Sequence, residues 1–380
     1  MKRQNNLFEQ IIDYNNICLA FLKAIRGNRS SPSVIKYCRN TGKNLAILRE
    51  KLNTLNCDWG SYNSFLITDP KLRVISTAPI EQRIMHHAIM NVLETIIDRT
   101  QIYHSYACRK GKGTHAAVNY AFKQCKKNTC YLKLDVRKYF DSLDHDVLKT
   151  QLRRLVKDTR VIALFDGIID SYGTSPGKGV PIGNLTSQFF ANMYLAGLDH
   201  FVLEELHPSA YCRYMDDFVL WADSQAKLKK MFECINDYVK EKLCLSLKQP
   251  VYGKIANGLP FLGFLVKDKG IYLLQKSKKR VTKRMTEITA SLCYGSITEE
   301  KAAERTRSVF AAISLARTNR FREKICEKGE RLLAPTACFA AGLGTTTGRT
   351  SVRPIGTTTT RTTGTTTLAS GWCAPEPCGM

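Results

Sequence analysis

The chain has 380 residues and a formal net charge of +24, all but +2 of it before Ala334. A balance this basic predicts a polyanionic partner held by salt-dependent contacts. The chain has no apolar run of membrane-spanning length, Glu9 and Asp13 interrupt the only candidate leader, and the fourteen cysteines form no Cys-x-x-Cys pair; these features exclude a membrane span, a secretory signal and a zinc framework, and they place the thiols in a reducing cytosol.

In chain order, residues 1–60 read as helices, with Leu7, Ile11 and Ile12 and then Leu19, Leu22 and Ile25 at helical spacing. Residues 53–70 form a polar, aromatic connector. Residues 73–97 begin extended and become helical, and Gly111-Lys112-Gly113 marks a loop. Leu132, Leu134 and Val136 then alternate with Tyr131, Lys133 and Asp135. A period of two predicts a strand with its apolar face down and Asp135 on the other face. A helix with Leu148, Leu152 and Leu155 on one side follows. Residues 171–183 are a Gly- and Pro-rich loop that opens into a long helix carrying Phe189, Phe190, Met193, Tyr194, Leu198 and Phe201.

Next comes Tyr214-Met215-Asp216-Asp217, set between apolar residues such as Tyr211, Phe218, Val219 and Leu220. Burying adjacent carboxylates is costly unless a cation neutralises them. The expectation is a tight β-hairpin whose turn presents acids to divalent metal. Together with Asp135, these acids suit two magnesium ions, which stabilise the attacking and leaving oxygens of an in-line phosphoryl displacement. A carboxylate set that needs a phosphate substrate makes nucleic acid, rather than a membrane surface, the expected polyanion.

A helix over 228–243 and strands near Val251 and over 261–266 follow. The whole order predicts an α+β fold whose antiparallel sheet is covered on one face. Val281, Met285, Ile288 and Leu292 form a helical stripe, with Lys276, Lys278, Lys279, Arg280, Lys283 and Arg284 opposite. Ser296-x-x-Glu299 reads as a capping box. Residues 271–333 hold fifteen basic and seven acidic side chains, a surface expected to track a nucleic-acid backbone. Thirteen of the residues over 345–367 are Thr, so 334–380 is expected to be a disordered tail. Thr codons ending in A become AAC repeats in a shifted frame, so the tail reads as an out-of-frame template repeat; the coding DNA tests this.

These motifs, from Leu7 to Arg331, resemble a reverse transcriptase, an RNA-directed DNA polymerase of the right-hand fold. The resemblance implies a helical extension over 1–60, fingers and palm over 61–270 and a basic helical thumb over 271–333. It implies two Mg²⁺ at Asp135, Asp216 and Asp217, with Asp217 the lesser ligand. Phe140 matches the aromatic that excludes a ribose 2′-hydroxyl. Arg73 and Arg83 match the grip on the incoming triphosphate, which guanidinium suits because it forks onto two oxygens. The segment over 105–116, with Arg109, Lys110 and Lys112, resembles the fingers motif beside the template. Lys248 aligns with the lysine that protonates pyrophosphate, and Phe261-Leu262-Gly263 with the primer grip. Lys279 and Arg280 fall on the thumb surface.

Gly179-Val-Pro-Ile182-Gly183-Asn-Leu-Thr-Ser-Gln188 matches the loop that shapes the nucleotide pocket. Most of the family has Gln where this chain has Ile182, and Pro where it has Gln188. That departure resembles the enzymes of diversity-generating retroelements, which copy a template RNA with mutations at adenines. Such enzymes work with template RNA, primer, dNTPs and a small basic accessory variability protein, in a bacterial or phage-encoded cytoplasmic setting. A group II intron or retron-type enzyme and a catalytically silent RNA-binding scaffold are the rival readings. A maturase would carry a further DNA-binding or endonuclease module after the thumb, and the sequence shows none.

Overall fold

The structure, a computed structural model, describes residues 3–68 and 72–327. The Thr-rich segment over 334–380 lies outside the described residues. The chain divides into two compact units, Met1–Ile271 and Tyr272–Met380.

The first unit opens with α1 (Phe8–Ile12), α2 (Tyr14–Ala24), α3 (Pro32–Cys38) and α4 (Thr41–Asn53). Asp13 caps α2 by accepting from the Asn15 and Asn16 amides, which satisfies N–H groups that have no partner inside the helix. The helical period expected here is present, but its face differs. Leu19 and Leu22 are exposed, and Ile17, Ala20 and Ala24 are fully buried. The small alanines let α2 lie close on α5 (Ile80–Asp98), where Asn16 donates to the Ala88 carbonyl. Between these helices, β1 (Asn63–Ile67) pairs antiparallel with β2 (Arg73–Thr77). The connector expected over 53–70 thus contains a strand.

After α6 (Thr114–Cys125) come β3 (Cys130–Asp135), α7 (Tyr139–Ser142), α8 (His145–Leu155), α9 (Thr159–Asp170), α10 (Leu185–Tyr194) and α11 (Ala196–Phe201). The single helix expected after residue 183 is broken at Leu195. Then follow β4 (Ala210–Tyr214), β5 (Asp217–Ala222), α12 (Gln225–Glu241), β6 (Val251–Lys254), β7 (Leu259–Phe261), β8 (Phe264–Lys267) and β9 (Gly270–Leu273).

The main sheet is antiparallel, in the order β4-β5-β3-β6. One face presents Leu132, Leu134, Phe218, Leu220 and Tyr211 to the principal core, as period-two alternation requires. The opposite face is not bare, in contrast to the one-sided covering expected. Val219, Trp221 and Cys212 are fully buried there, Tyr120 of α6 meets Trp221 edge-on at 6.4 Å, and α6 packs on β4. The covering leaves the Asp135 end of the face to polar residues. A second sheet runs in the order β7-β8-β9.

His86 of α5 fixes where α10 begins. Asn184 donates to its Nε2 at 3.4 Å, which leaves Nδ1 to donate to the Thr186 hydroxyl at 3.1 Å. Burial pushes His86 down to about 3, and burial followed by Lys23 and Arg83 pushes His87 down to about 4. Both stay neutral in the folded state while their unfolded counterparts protonate near 6.5. Their contribution is therefore complete above pH 6.5 and lost as pH falls from 6.5 towards 4, by about 1.4 kcal/mol per pH unit for each histidine. Urea titrations between pH 7.5 and 4.5 will show this fall, and His86→Gln will remove close to one proton's worth of the slope.

In the second unit, α13 (Gln275–Cys293) buries Val281, Met285 and Ile288, and α14 (Glu299–Ala312) packs on it. The capping residue of α14 is Thr298, whose hydroxyl accepts from the Lys301 amide, and not Ser296. Ser296 instead donates to the Ser291 carbonyl, closing the end of α13. No helix among the described residues is long and apolar enough to cross a membrane.

Candidate active site

The β4–β5 hairpin has a two-residue loop, Met215-Asp216, because Tyr214 pairs with Asp217. Met215 takes φ +56°, a conformation that costs a non-glycine residue energy and needs outside support. Arg213 supplies it by donating to the Met215 carbonyl at 3.0 Å. This arginine is fully buried and is held by Asp199 of α11 at 2.6 to 2.9 Å through three hydrogen bonds. Asn192 and Gln101 accept its remaining N–H groups. Arg213 is not among the residues expected at the site, although a charged residue inside Ala-Tyr-Cys-Arg-Tyr was the available signal.

Asp135, the last residue of β3, lies directly opposite Asp217. In an antiparallel pair, such partners share a face. The Val136 amide donates to the Asp216 carbonyl at 3.3 Å, which brings the turn alongside. The three acids come together, therefore, although two separated segments supply them.

Their electrostatics record the crowding. Burial pushes the Asp216 carboxyl up and Asp135 adds to the rise, while Lys248 and Arg73 oppose it. Burial raises Asp217 to about 7 against the pull of Lys133, with Asp135 and Asp216 adding to the rise. Asp217 Oδ2 is 3.0 Å from Lys133 Nζ, and its Oδ1 is buried with no hydrogen-bond partner. Lys133 is a second residue of the site that was not expected there. Its signal was a position two before Asp135, on the same face.

Lys248 Nζ lies 2.5 Å from Asp135 Oδ1. The backbone sets this contact: the Lys248 amide donates to the Asp135 carbonyl, and Arg137 to the Ser246 carbonyl. Among the described residues, no three His, Cys, Asp or Glu side chains close into a ready-made metal cage. The donor set nonetheless fits hard divalent cations. It consists of carboxylates alone, they repel one another, and one buried oxygen is unpaired.

The Ile182 loop lies against β2. The Ser76 amide donates to the Ile182 carbonyl at 2.8 Å. Gly183 adopts φ +123°, and a Cβ there would stand 2.7 Å from the Ser76 carbonyl oxygen, so the close approach requires glycine. Gln188 uses its amide oxygen to accept from Cys108 at 3.4 Å. Phe140, half-buried in α7, packs edge-on against Tyr139 at 5.8 Å, and its carbonyl accepts from Val180.

Two of the basic residues expected at the site have partners within the fold. Arg83 donates to the Ala24 carbonyl at the C-terminal end of α2, which ties one arm of its guanidinium to that helix. Arg109 forks onto Asp98 at 2.6 and 3.3 Å and also donates to the Ile102 and Ser105 carbonyls. It staples its own loop and has no spare face for a template. Lys110, by contrast, is exposed beside Glu94 at 3.2 Å. Phe261 pairs with Phe264, so Leu262 and Gly263 form a two-residue loop with φ +47° and +87°. Positive φ at both positions marks a type I′ turn, and the turn itself accounts for this glycine. Lys279 and Arg280 lie on α13, in the second unit.

Residues 68–263 match the family model described as reverse transcriptase (RNA-dependent DNA polymerase). The chain belongs to the reverse transcriptase family. Its four-stranded sheet is the palm of the right-hand polymerase fold, with the three acids at one end. A Saccharomyces cerevisiae protein named for COX1/OXI3 intron 1 is 24% identical over 212 residues, covering 52% of this chain and 25% of that protein. The group II intron-encoded protein LtrA of Lactococcus lactis is 24% identical over 140 residues, covering 35% of this chain and 23% of LtrA. The chain thus spans about a quarter of the length of these two relatives. A structure of telomerase from Candida tropicalis with a fragment of telomeric RNA has a TM-score of 0.44 at 13% identity, covering 77% of this chain and 62% of that one.

Proposed function

We propose that the protein is an RNA-directed DNA polymerase of a diversity-generating retroelement, making adenine-mutagenised cDNA from a template-repeat RNA. The observation that carries the polymerase reading is the meeting of Asp135, Asp216 and Asp217 at one end of the palm sheet. These residues would hold two Mg²⁺, which when bound supply positive charge to the attacking and leaving oxygens. The primer 3′-hydroxyl attacks the α-phosphate of a deoxynucleoside triphosphate and pyrophosphate leaves. Lys248, held at the site by its backbone pairing with Asp135, donates a proton to that leaving group. Arg73 grips the triphosphate. Phe140 occupies the space of a ribose 2′-hydroxyl and selects deoxynucleotides.

In this reading 1–60 is a helical extension, 61–270 fingers and palm, and 271–333 a thumb. Lys110, Lys112 and the Phe261-Leu262-Gly263 turn face template and primer, and Lys279 and Arg280 of the thumb track the duplex. A small basic accessory variability protein completes a cytoplasmic assembly in a bacterial or phage-encoded system.

Ile182 supports the retroelement branch. Its side chain cannot make the amide hydrogen bond that Gln would offer to a base pair, and specificity is a difference between competing interactions. Ile182→Gln is expected to lower adenine misincorporation several-fold, read by sequencing cDNA made from an adenine-rich RNA. The same error spectrum in both enzymes would remove the role of Ile182. A group II intron-type enzyme remains the second reading, favoured by the similarity to LtrA; faithful copying of adenines by the unaltered protein would select it.

A further inference from the structure

One face of α6 borders a groove of about 520 Å³, of which the polymerase reading gives a role to Lys112 alone. Its floor is aromatic. His104 and Tyr120 stack with centroids 3.9 Å apart and planes 23° apart, and the Tyr106 hydroxyl fixes His104 through Nδ1 at 3.1 Å. Tyr103 stands edge-on to His104 at 5.0 Å, yet is 73% exposed. Lys112 pins it, with Nζ 3.4 Å from the ring centroid and donating to the Tyr103 carbonyl. Tyr103 is thus a large ring held in place with an open face.

The rim is basic. Lys123, Lys126 and Lys127 join Lys112, and among the described residues no acidic side chain lines the groove. Lysines gathered without acids repel one another, an arrangement that a polyanion relieves. Fixed aromatic faces next to such charge are what a single nucleic-acid strand needs. Every base has a face to stack, and its phosphates need cations at the side. A paired duplex hides those faces.

The groove also has a direction. Thr114, at the start of α6, donates to the Tyr214 hydroxyl at 3.2 Å, next to the Met215-Asp216 turn. Lys126 and Lys127 stand at the other end of this twelve-residue helix, about 18 Å away. We propose that the groove is a binding site for single-stranded RNA, in which a base stacks on Tyr103 and the backbone follows Lys123, Lys126 and Lys127 away from the polymerase site. The choice of RNA over DNA rests on the polymerase reading; the capture of a single strand does not.

The test uses the full chain and a fluorescein-labelled twelve-nucleotide oligo(A) RNA, followed by fluorescence anisotropy at several salt concentrations. Tyr103→Ala is expected to raise Kd about tenfold and Tyr103→Phe to leave it unchanged. Joint Lys123→Glu and Lys127→Glu replacement should weaken binding and flatten the salt dependence. A blunt RNA duplex should be indifferent to Tyr103→Ala. Incorporation on a short primer–template that ends at the site should be equally indifferent. Asp216→Asn should bind the oligonucleotide as the unaltered chain does, so that failure of the polymerase reading and failure of the groove give different results. Wild-type affinity in Tyr103→Ala overturns the proposal. So does equal weakening of duplex and single strand by the lysine changes, which would mark a plain basic surface. Tighter binding of the matching DNA strand overturns the assignment to RNA.

Discussion

Asp216→Asn will abolish deoxynucleotide incorporation, by about 10³-fold or more, and leave RNA affinity unchanged. The substitution keeps the shape of the side chain and removes its charge. Asp216 occupies the second position of a turn whose backbone is fixed by Arg213 and by the Val136 amide, so the amide will sit where the carboxylate sat. A cation-neutralising carboxylate contributes several kcal/mol of charge stabilisation in the transition state, and each 1.4 kcal/mol is about tenfold in rate. Single-turnover extension of a DNA primer on an RNA template measures the loss, and anisotropy with the same RNA measures binding. Asp217→Asn will have the smaller effect. Burial already holds that carboxyl up to about 7, and Lys133 occupies one of its oxygens. Normal extension by Asp216→Asn would take the acid set out of the chemistry and leave the silent RNA-binding reading.

The acids were legible in the sequence because burial makes them conspicuous. Two adjacent carboxylates inside Tyr211–Leu220, and one at the end of an alternating strand, have few outcomes other than a shared polar site. Their register, Asp135 opposite Asp217, then follows from keeping Leu132, Leu134, Phe218 and Leu220 on one face. Periodicity could not choose the buried face of α2. It ranks leucine above alanine, whereas the close contact with α5 needed Ala20 and Ala24 inside. Arginines were ambiguous for a different reason. Arg73, Arg83, Arg109 and Arg213 carry the same charge, and only their surroundings separate a ligand from a staple. Arg83 found a helix end, Arg109 an aspartate and two carbonyls, and Arg213 a buried carboxylate. Some of these partners lie far along the chain, as with Ala24 and Arg83 or Gln101 and Arg213, and no local pattern points to them.

Arg213→Met will destabilise the protein by about 3–5 kcal/mol, the usual cost of leaving one member of a buried ion pair behind. Asp199 is fully buried and would keep Tyr211 as its remaining partner, since the Tyr211 hydroxyl donates to it at 2.7 Å. Asp199→Leu alone will cost a similar amount, because it strands the guanidinium. Replacing both residues removes the uncompensated charge, so the double variant will regain most of the stability lost by either single one. Activity will not return with it. The contact from Arg213 to the Met215 carbonyl holds a residue at positive φ in the turn that carries Asp216, and methionine offers no donor for that carbonyl. Urea unfolding of the three variants, set beside their extension rates, separates the two roles of the arginine. A double variant that recovers both stability and full extension would show that the turn needs no help from Arg213, and single variants within about 1 kcal/mol of the unaltered chain would show that the buried pair is replaceable by its polar neighbours.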